Sequence, residues 1–147
     1  MPGKIADSKL GDKGRRSYEW ASNRMGIVDK IRAMNDSNQP LAGYRLGFCL
    51  HITKETSVLV MAAKSLGADI AICSANPLSA QDDIAAFLYG NGVNVYAWRG
   101  ETELEYKQCI HSVLSFRPVI VTDDGGDLHS MTHQKTAKGI LGGTEET

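Results

Sequence analysis

Cys49-Leu50-His51-Ile52-Thr53-Lys54-Glu55-Thr56 is the stretch of sequence that decides the fold. An apolar run over residues 44–50 stops at His51, and a helix-like apolar pattern begins directly after Glu55. This change of period predicts a strand that leads into a helix, with polar side chains at the junction. In open α/β sheets, ligands bind at such junctions, beyond the carboxyl ends of the strands. The stretch therefore predicts both a fold class and the position of a site.

The same order of strand and helix recurs along the chain. Strands are predicted at 44–50, 68–74, 93–98 and 119–122, and helices at 53–66, 79–89, 102–116 and 128–136. Such alternation is typical of parallel βαβ units. Apolar strands with little alternation, such as Ile70-Ala71-Ile72, indicate a sheet that is covered on both faces. We predict an α/β fold of three layers, with a parallel sheet of Rossmann-like or flavodoxin-like βα units preceded by N-terminal helices.

Residues 1–40 are predicted to form a helical segment that packs on an α/β domain of residues 41–147. Apolar residues recur at helical spacing from Tyr18 to Met34. Gly11 and Gly14 are expected to loosen the start of this segment, and Gly26 to separate two helices. The last residues, 142–147, resemble one more strand end that carries polar groups.

Two helix starts carry the sequence pattern of a capping box. Ser79 is followed by Asp82, and Thr102 by Glu105, each at the spacing at which two side chains and two backbone amides satisfy one another. We therefore expect Ser79 and Thr102 to be N-caps.

Composition excludes several classes of protein. The 147 residues suit one domain, and a net charge of −1 favours neither nucleic acid nor an anionic membrane as a partner. No apolar run approaches the ~20 residues of a membrane span, and residues 1–4 have no signal-peptide core. The three cysteines are far apart in apolar surroundings, so we expect reduced core residues of a cytoplasmic protein.

Polar side chains follow each predicted strand, and a parallel sheet brings them to one rim. They are His51, Thr53 and Glu55; Asn76, Ser79, Gln81 and Asp82; Trp98 and Arg99; and Asp123, Asp124 and Asp127. Thr53 and Glu55 are also suited to capping a helix. Adjacent acids such as Asp123 and Asp124 repel one another at a buried strand end, which indicates a function. With carboxylates on the same rim, His51 is a candidate for proton transfer.

Five segments in this order match the pattern of a known family. They are Cys49-Leu50-His51-x-Thr53-x-Glu55-Thr56, Asn76-Pro77-Leu78-Ser79-x-Gln81-Asp82, Tyr96-Ala97-Trp98-x-Gly100-Glu101-Thr102-x-x-Glu105-Tyr106, Asp123-Asp124-Gly125-Gly126-Asp127-Leu128 and Thr144-Glu145-Glu146-Thr147. Together they closely resemble the N-terminal part of S-adenosyl-L-homocysteine hydrolases. Asp83 and Arg99 resemble the archaeal and thermophilic bacterial branch of that family.

The resemblance implies an activity and a role for each matched residue. Such enzymes split S-adenosylhomocysteine reversibly into adenosine and homocysteine, with NAD oxidising the ribose 3′-hydroxyl. By resemblance, Thr53 and Glu55 contact adenine, and His51 and Asp124 handle proton transfer near C4′ and C5′. Two further residues have implied roles: Glu146 binds the ribose hydroxyls, and Thr147 meets the nicotinamide half of NAD. The resemblance also implies that Ser79, Gln81 and Asp82 support the homocysteine end of the substrate.

The chain also departs from the family's pattern. No Gly-x-Gly-x-x-Gly follows any predicted strand, and the family's catalytic lysine and dinucleotide-binding domain have no counterpart here. We therefore expect the substrate-binding part of such an enzyme, inactive by itself. The resemblance implies small-molecule partners, a cytoplasmic location and a homo-oligomer for the full-length enzyme.

Two other classes of function remain open at this point. Asp123, Asp124 and Asp127 are acids of the kind that hold magnesium in receiver-like signalling domains, since hard cations prefer carboxylate oxygens. A non-catalytic domain that binds nucleosides or another subunit is the second alternative.

Overall fold

Parallel strands form one continuous sheet in the computed structural model, which describes residues 3–134 and 139–146. Across this part of the chain there are six strands, six α-helices and one short 3-10 helix at Ser8–Leu10. The strands are β1 (Lys4–Ile5), β2 (Arg45–Cys49), β3 (Asp69–Cys73), β4 (Asn94–Ala97), β5 (Ile120–Asp123) and β6 (Gly142–Glu145). The helices are α1 (Gly11–Ser22), α2 (Gly26–Asn35), α3 (Lys54–Ser65), α4 (Asp82–Gly90), α5 (Glu103–Ser115) and α6 (Asp127–Gln134). The predicted alternation of strands and helices is confirmed.

The strands bury side chains on both faces, which makes the predicted three layers. Leu46 and Phe48 of β2 belong to a core that includes residues of α3 and α4. Cys49, the next residue on the other face, joins a second core formed with α5 and α6. The three cysteines are free and buried, as expected, and burial raises the pKa of Cys109 to about 12. Among the described helices, none is long and apolar enough to cross a membrane.

The strand order β1-β4-β3-β2-β5-β6 places β2 in the middle of the sheet. The chain runs outward from β2 through β3 and β4, then returns to lay β5 on the other side of β2. The order therefore reverses between β2 and β5. A crevice opens at such a switch point, because the two loops leave the sheet in opposite directions. The loop after β2 contains His51, and the loop after β5 contains Asp124 and leads into α6 at Asp127.

The N-terminal region differs from its prediction in two respects. Lys4–Ile5 is an edge strand paired in parallel with β4, where only helix was expected. Gly11 and Gly14 do not interrupt the helix, since Gly11 is the first residue of α1 and Gly14 lies within it. Gly14 is buried because α1 crosses α4 at this residue, and Tyr18 stacks on Phe87 one turn further on, with ring centroids 4.8 Å apart. Gly26 begins α2, which confirms the break.

One of the two predicted capping boxes is present. The Thr102 hydroxyl accepts from the Glu105 N–H, and the Glu105 carboxylate accepts from the Thr102 N–H. The Ser79 box is wrong, because α4 begins at Asp82 with Gln81 as its N-cap. The Ser79 hydroxyl instead bonds within the loop, to the Asn76 carbonyl and the Ser74 hydroxyl.

Replacing Thr102 with alanine is expected to lower the free energy of unfolding by about 1 kcal/mol, since the hydroxyl that accepts from the Glu105 N–H is lost. Urea denaturation at neutral pH measures the loss. Gln108→Ala, on the exposed side of the same helix, is the matched control and is expected to be close to neutral. Equal stability of the two variants would show that the box does not hold the helix start.

Candidate active site

His51 and Asp124 meet over the switch point of the sheet. The His51 Nε2 lies 3.2 Å from the Asp124 Oδ2, and their side chains are 46% and 29% exposed. β2 and β5 are direct neighbours, with Cys49 paired to Asp123, so the two residues leave the same edge side by side. An imidazole held by a carboxylate, and open to solvent, is suited to moving protons.

The adjacent acids Asp123 and Asp124 have separate tasks. Asp123 is fully buried, and its carboxylate accepts hydrogen bonds from the backbone N–H groups of Asp124 and His129, at 3.0 and 2.8 Å. It therefore shapes the turn, which Gly125 and Gly126 complete with positive φ angles of 94° and 82°. Asp124 is turned outward toward His51. A turn-forming role next to Gly125 and Gly126 could explain only one of these acids from the sequence. In the structure Asp123 forms the turn, and Asp124 faces His51.

Thr53 and Glu55 stand at the start of α3, next to His51. Thr53 is the N-cap, and its hydroxyl accepts from the Thr56 N–H at 3.3 Å. Glu55 is exposed, and its carboxylate lies 3.3 Å from the Lys54 Nζ. Burial raises the pKa of Glu55, but its backbone hydrogen bond together with Lys54 and Thr53 outweighs burial and lowers the pKa below its usual value. An ionised acceptor is therefore presented in the first turn of α3, four residues after His51.

The loop after β3 is tied to both neighbouring loops. The Gln81 N–H donates to the Ile52 carbonyl at 2.9 Å, and the Asp82 carboxylate accepts from the Arg99 N–H at 2.9 Å. Ser79 bonds within its own loop, as described above. These predicted site residues therefore support the rim through hydrogen bonds to neighbouring protein groups.

Glu146 reaches the rim through β6, the strand beyond β5. Its N–H donates to the Asp123 carbonyl at 2.8 Å, and its side chain is exposed. β6 is held by His129, whose Nε2 lies 3.0 Å from the Thr144 carbonyl oxygen and 3.5 Å from the Glu145 carboxylate. Thr147, the remaining predicted residue of the site, lies outside the described residues.

Sequence reasoning missed Glu101, a buried acid in the loop between β4 and α5. One carboxylate oxygen accepts from the Trp98 N–H at 3.0 Å, and the other has no hydrogen-bond partner within the described structure. Burial raises the pKa of Glu101 to about 7, because the charged form loses its hydration. Of its neighbours on the rim, Trp98 is half-buried under the Lys4 ammonium, and Arg99 is exposed. Nothing in the local pattern distinguished Glu101 from a helix-flanking acid.

The acids do not form the magnesium cage of a receiver-like domain. Asp124 faces His51, while the Asp127 carboxylate accepts from the Tyr106 hydroxyl at 2.8 Å. Within the described ranges, the one His/Cys/Asp/Glu group with metal-ligand spacing is Asp123, His129 and Glu145, whose ligand atoms lie within 4.8 Å of one another. The Asp123 carboxylate and one Glu145 oxygen already accept backbone N–H groups. These contacts are therefore better explained as the interactions that hold β6 against β5 and α6.

The described strand-to-helix turns do not fit a dinucleotide. A pyrophosphate binds at a helix N-terminus that presents free N–H groups and no negative charge. Each helix that follows a central strand has acids in its first turn instead: Glu55 in α3, Asp82 in α4, Glu103 in α5 and Asp127 in α6. These residues would repel a pyrophosphate, so we assign no part of an NAD pyrophosphate site to them.

Comparison with known proteins finds similarity along almost the whole of this chain. A family model described as S-adenosyl-L-homocysteine hydrolase matches residues 3–146. Adenosylhomocysteinases of Sulfolobus acidocaldarius and Sulfurisphaera tokodaii are 48% and 45% identical over the whole chain, which covers 36% of each relative. The S-inosyl-L-homocysteine hydrolase of Methanopyrus kandleri is 44% identical over 97% of the chain, which covers 34% of that relative. The chain thus spans about a third of the length of these relatives.

Proposed function

Because the chain belongs to the S-adenosyl-L-homocysteine hydrolase family, we propose that it forms the nucleoside-binding side of an adenosylhomocysteinase. The reaction is the reversible hydrolysis of S-adenosylhomocysteine to adenosine and homocysteine. The observation that carries the proposal is the 3.2 Å contact between His51 and Asp124 over the switch point, with the acceptor Glu55 in the first turn of the helix that follows His51. We propose that the protein acts in the cytoplasm on small molecules and that the complete enzyme is a homo-oligomer.

Each role in the proposal follows from the chemistry of a rim residue. Glu55 accepts from the exocyclic amine of adenine, with Thr53 beside it at the start of α3. His51 moves the proton between the ribose side of the substrate and water, and Asp124 holds and tunes its imidazole. Glu146 binds the ribose hydroxyls, and Ser79, Gln81 and Asp82 support the homocysteine end.

The redox part of the reaction is assigned to NAD bound elsewhere. When bound, NAD supplies the hydride chemistry at the ribose 3′-carbon. The acidic first turns of α3 to α6 do not suit its pyrophosphate, so we propose that this chain contributes substrate binding and proton transfer, with Thr147 as its contact to the nicotinamide half. We propose that the chain alone, supplied with NAD, releases no homocysteine from S-adenosylhomocysteine.

Glu55 favours an adenine over a hypoxanthine ring. Some relatives bear the name S-inosyl-L-homocysteine hydrolase, so inosine is the competing nucleoside. Adenine carries a donor amine at its 6-position, whereas hypoxanthine carries an acceptor oxygen there. An ionised carboxylate pairs with the first and repels the second.

Adenosine titrated to millimolar concentration into the isotope-labelled chain is expected to shift the amide resonances of His51, Glu55 and Asp124. Glu55→Gln is expected to weaken adenosine binding by about tenfold, because a charge-assisted hydrogen bond becomes a neutral one. The same change is expected to leave inosine binding equal or stronger. NMR shift titrations of both nucleosides give the dissociation constants.

Glu103→Gln is the matched control, since Glu103 is an exposed acid in the first turn of α5 and lies on a different loop. It is expected to bind both nucleosides like the unmodified chain. Absence of any shift on the rim at millimolar adenosine would contradict the proposal and favour the non-catalytic interaction domain. Equal loss for both nucleosides in Glu55→Gln would remove Glu55 from the recognition of the base.

A further inference from the structure

Lys54 connects the nucleoside side of the rim to the indole of Trp20. Its Nζ lies 4.8 Å from the centroid of the Trp20 ring and 3.3 Å from the Glu55 carboxylate. Trp20 belongs to α1, which packs against α3, and the residue is 49% exposed. The Arg24 guanidinium lies 3.9 Å from the same ring and is bonded to the Trp20 carbonyl. Two cations therefore share one indole, and only Lys54 is placed to contact Glu55.

The position of Lys54 runs against local helix preference. It is the first residue of α3, where the positive end of the helix dipole disfavours a cation. A residue that breaks a local rule without a packing reason is often kept for a site. Here the ring of Trp20 compensates, because a cation within ~6 Å of an aromatic face is attracted to it. Lys54 is only one-third exposed, which is low for a lysine at a helix start.

Of the contacts that Lys54 makes, the one with Glu55 connects it to the proposed nucleoside site. Neighbouring residues on a helix do not usually face one another, so an unrestrained lysine would not stay beside the carboxylate that follows it. The indole limits the directions that Lys54 can take and keeps its ammonium on the side of Glu55. The carboxylate in turn gains a cationic partner on one side, and its exposed position leaves it accessible to a donor from outside.

We propose that Lys54, held against the Trp20 ring, is a positioning residue that orients the Glu55 carboxylate toward the 6-amino group of a purine nucleoside. The inference rests on the proposed function for its ligand. The contacts of Lys54 with Trp20 and Glu55, called the Lys54 brace below, are a property of the free chain. Lys54 contacts neither the reacting atoms nor the ribose. Its effect is on the choice between 6-amino and 6-oxo purines.

Lys54→Met tests the inference by removing the charge and keeping the apolar stem. The Glu55 carboxyl is expected to titrate at higher pH by carbon-detected NMR, because its cation is lost. The preference for adenosine over inosine is expected to fall about two- to fivefold, the effect of a weak exposed cation contact. Lys54→Arg is expected to restore both readouts, and Trp20→Leu to reproduce part of the loss of preference with the charge still present.

Lys107→Met is the matched control, because Lys107 pairs with Glu103 at the surface of α5. It is expected to move the titration of Glu103 and to leave both nucleoside constants unchanged. If the pKa of Glu55 is the same in Lys54→Met as in the unmodified chain, the Lys54 brace is wrong, even where adenosine binds. Absence of adenosine binding in every variant overturns the proposed function and the recognition role together, although the Glu55 titration still reports whether the brace exists. An unchanged preference in Trp20→Leu overturns the part assigned to the indole.

Discussion

Gly14→Ala is expected to lower the free energy of unfolding by about 3 kcal/mol or more, the upper end of the cost of overpacking. A Cβ at this residue would overlap the Asp83 carbonyl oxygen and lie 2.8 Å from the Phe87 Cβ. The obstacle is backbone of α4, which cannot move aside as a flexible side chain can. The helix would have to lift, separating the stacked rings of Tyr18 and Phe87. The gain in helix propensity, at most about 1 kcal/mol, does not offset this.

Gly11→Ala is the matched control three residues earlier on α1. The nearest atom to its Cβ would be the Ala86 carbonyl oxygen at 3.8 Å, an ordinary contact. We expect this variant to be as stable as the unmodified chain or slightly more stable. Urea denaturation of both variants, followed by far-ultraviolet circular dichroism, makes the comparison. If both alanines have the same effect, α1 does not dock on α4 through Gly14.

Glu101 is expected to make the stability of the chain fall as the pH rises. Burial raises the pKa of Glu101 from an ordinary 4.5 to about 7, so the folded state keeps a proton that the unfolded state loses. The contribution of Glu101 to the free energy of unfolding is at its full value below about pH 4.5. It is lost as the pH rises toward 7, and above that pH it stays constant. The total change is about 3 kcal/mol, since one pKa unit corresponds to about 1.4 kcal/mol.

Glu101→Gln removes this dependence, because the amide stays neutral and still accepts from the Trp98 N–H. We expect the difference in unfolding free energy between the variant and the unmodified chain to grow in favour of the variant between about pH 5 and pH 8. Urea denaturation at several pH values measures it. Glu103→Gln, at an exposed acid two residues away, controls for the loss of one carboxylate. Parallel pH profiles for the unmodified chain and Glu101→Gln would show that Glu101 is not protonated in the folded state.

Local sequence patterns predicted the elements well because their causes are local. The apolar run before His51 and the helical spacing after it located β2 and α3 to within a residue or two. The Thr102 capping box was predictable because both partners lie within one helical turn. The Ser79 box failed because the same pattern also suits a loop, and there the hydroxyl found the Ser74 side chain and the Asn76 carbonyl.

The errors near the N-terminus have a different cause. Lys4–Ile5 has too few residues to show a period, and it is a strand only because β4 offers an unpaired edge. Nothing in the sequence around Gly14 indicates that another helix, α4, crosses α1 at this residue. The need for glycine at this position comes from the Asp83 backbone, which lies far along the chain.

The sequence by itself determined the α/β class, the succession of strands and helices, and the set of polar residues at the strand ends, since each depends on periodicity or capping within a few residues. The family resemblance pointed to the same residues. Only the tertiary structure decided that β5 pairs with β2, so that His51 meets Asp124, and that Asp123 turns inward while its neighbour turns outward. Strand order is a choice among non-local pairings, and its free energy comes from the packing of the whole sheet.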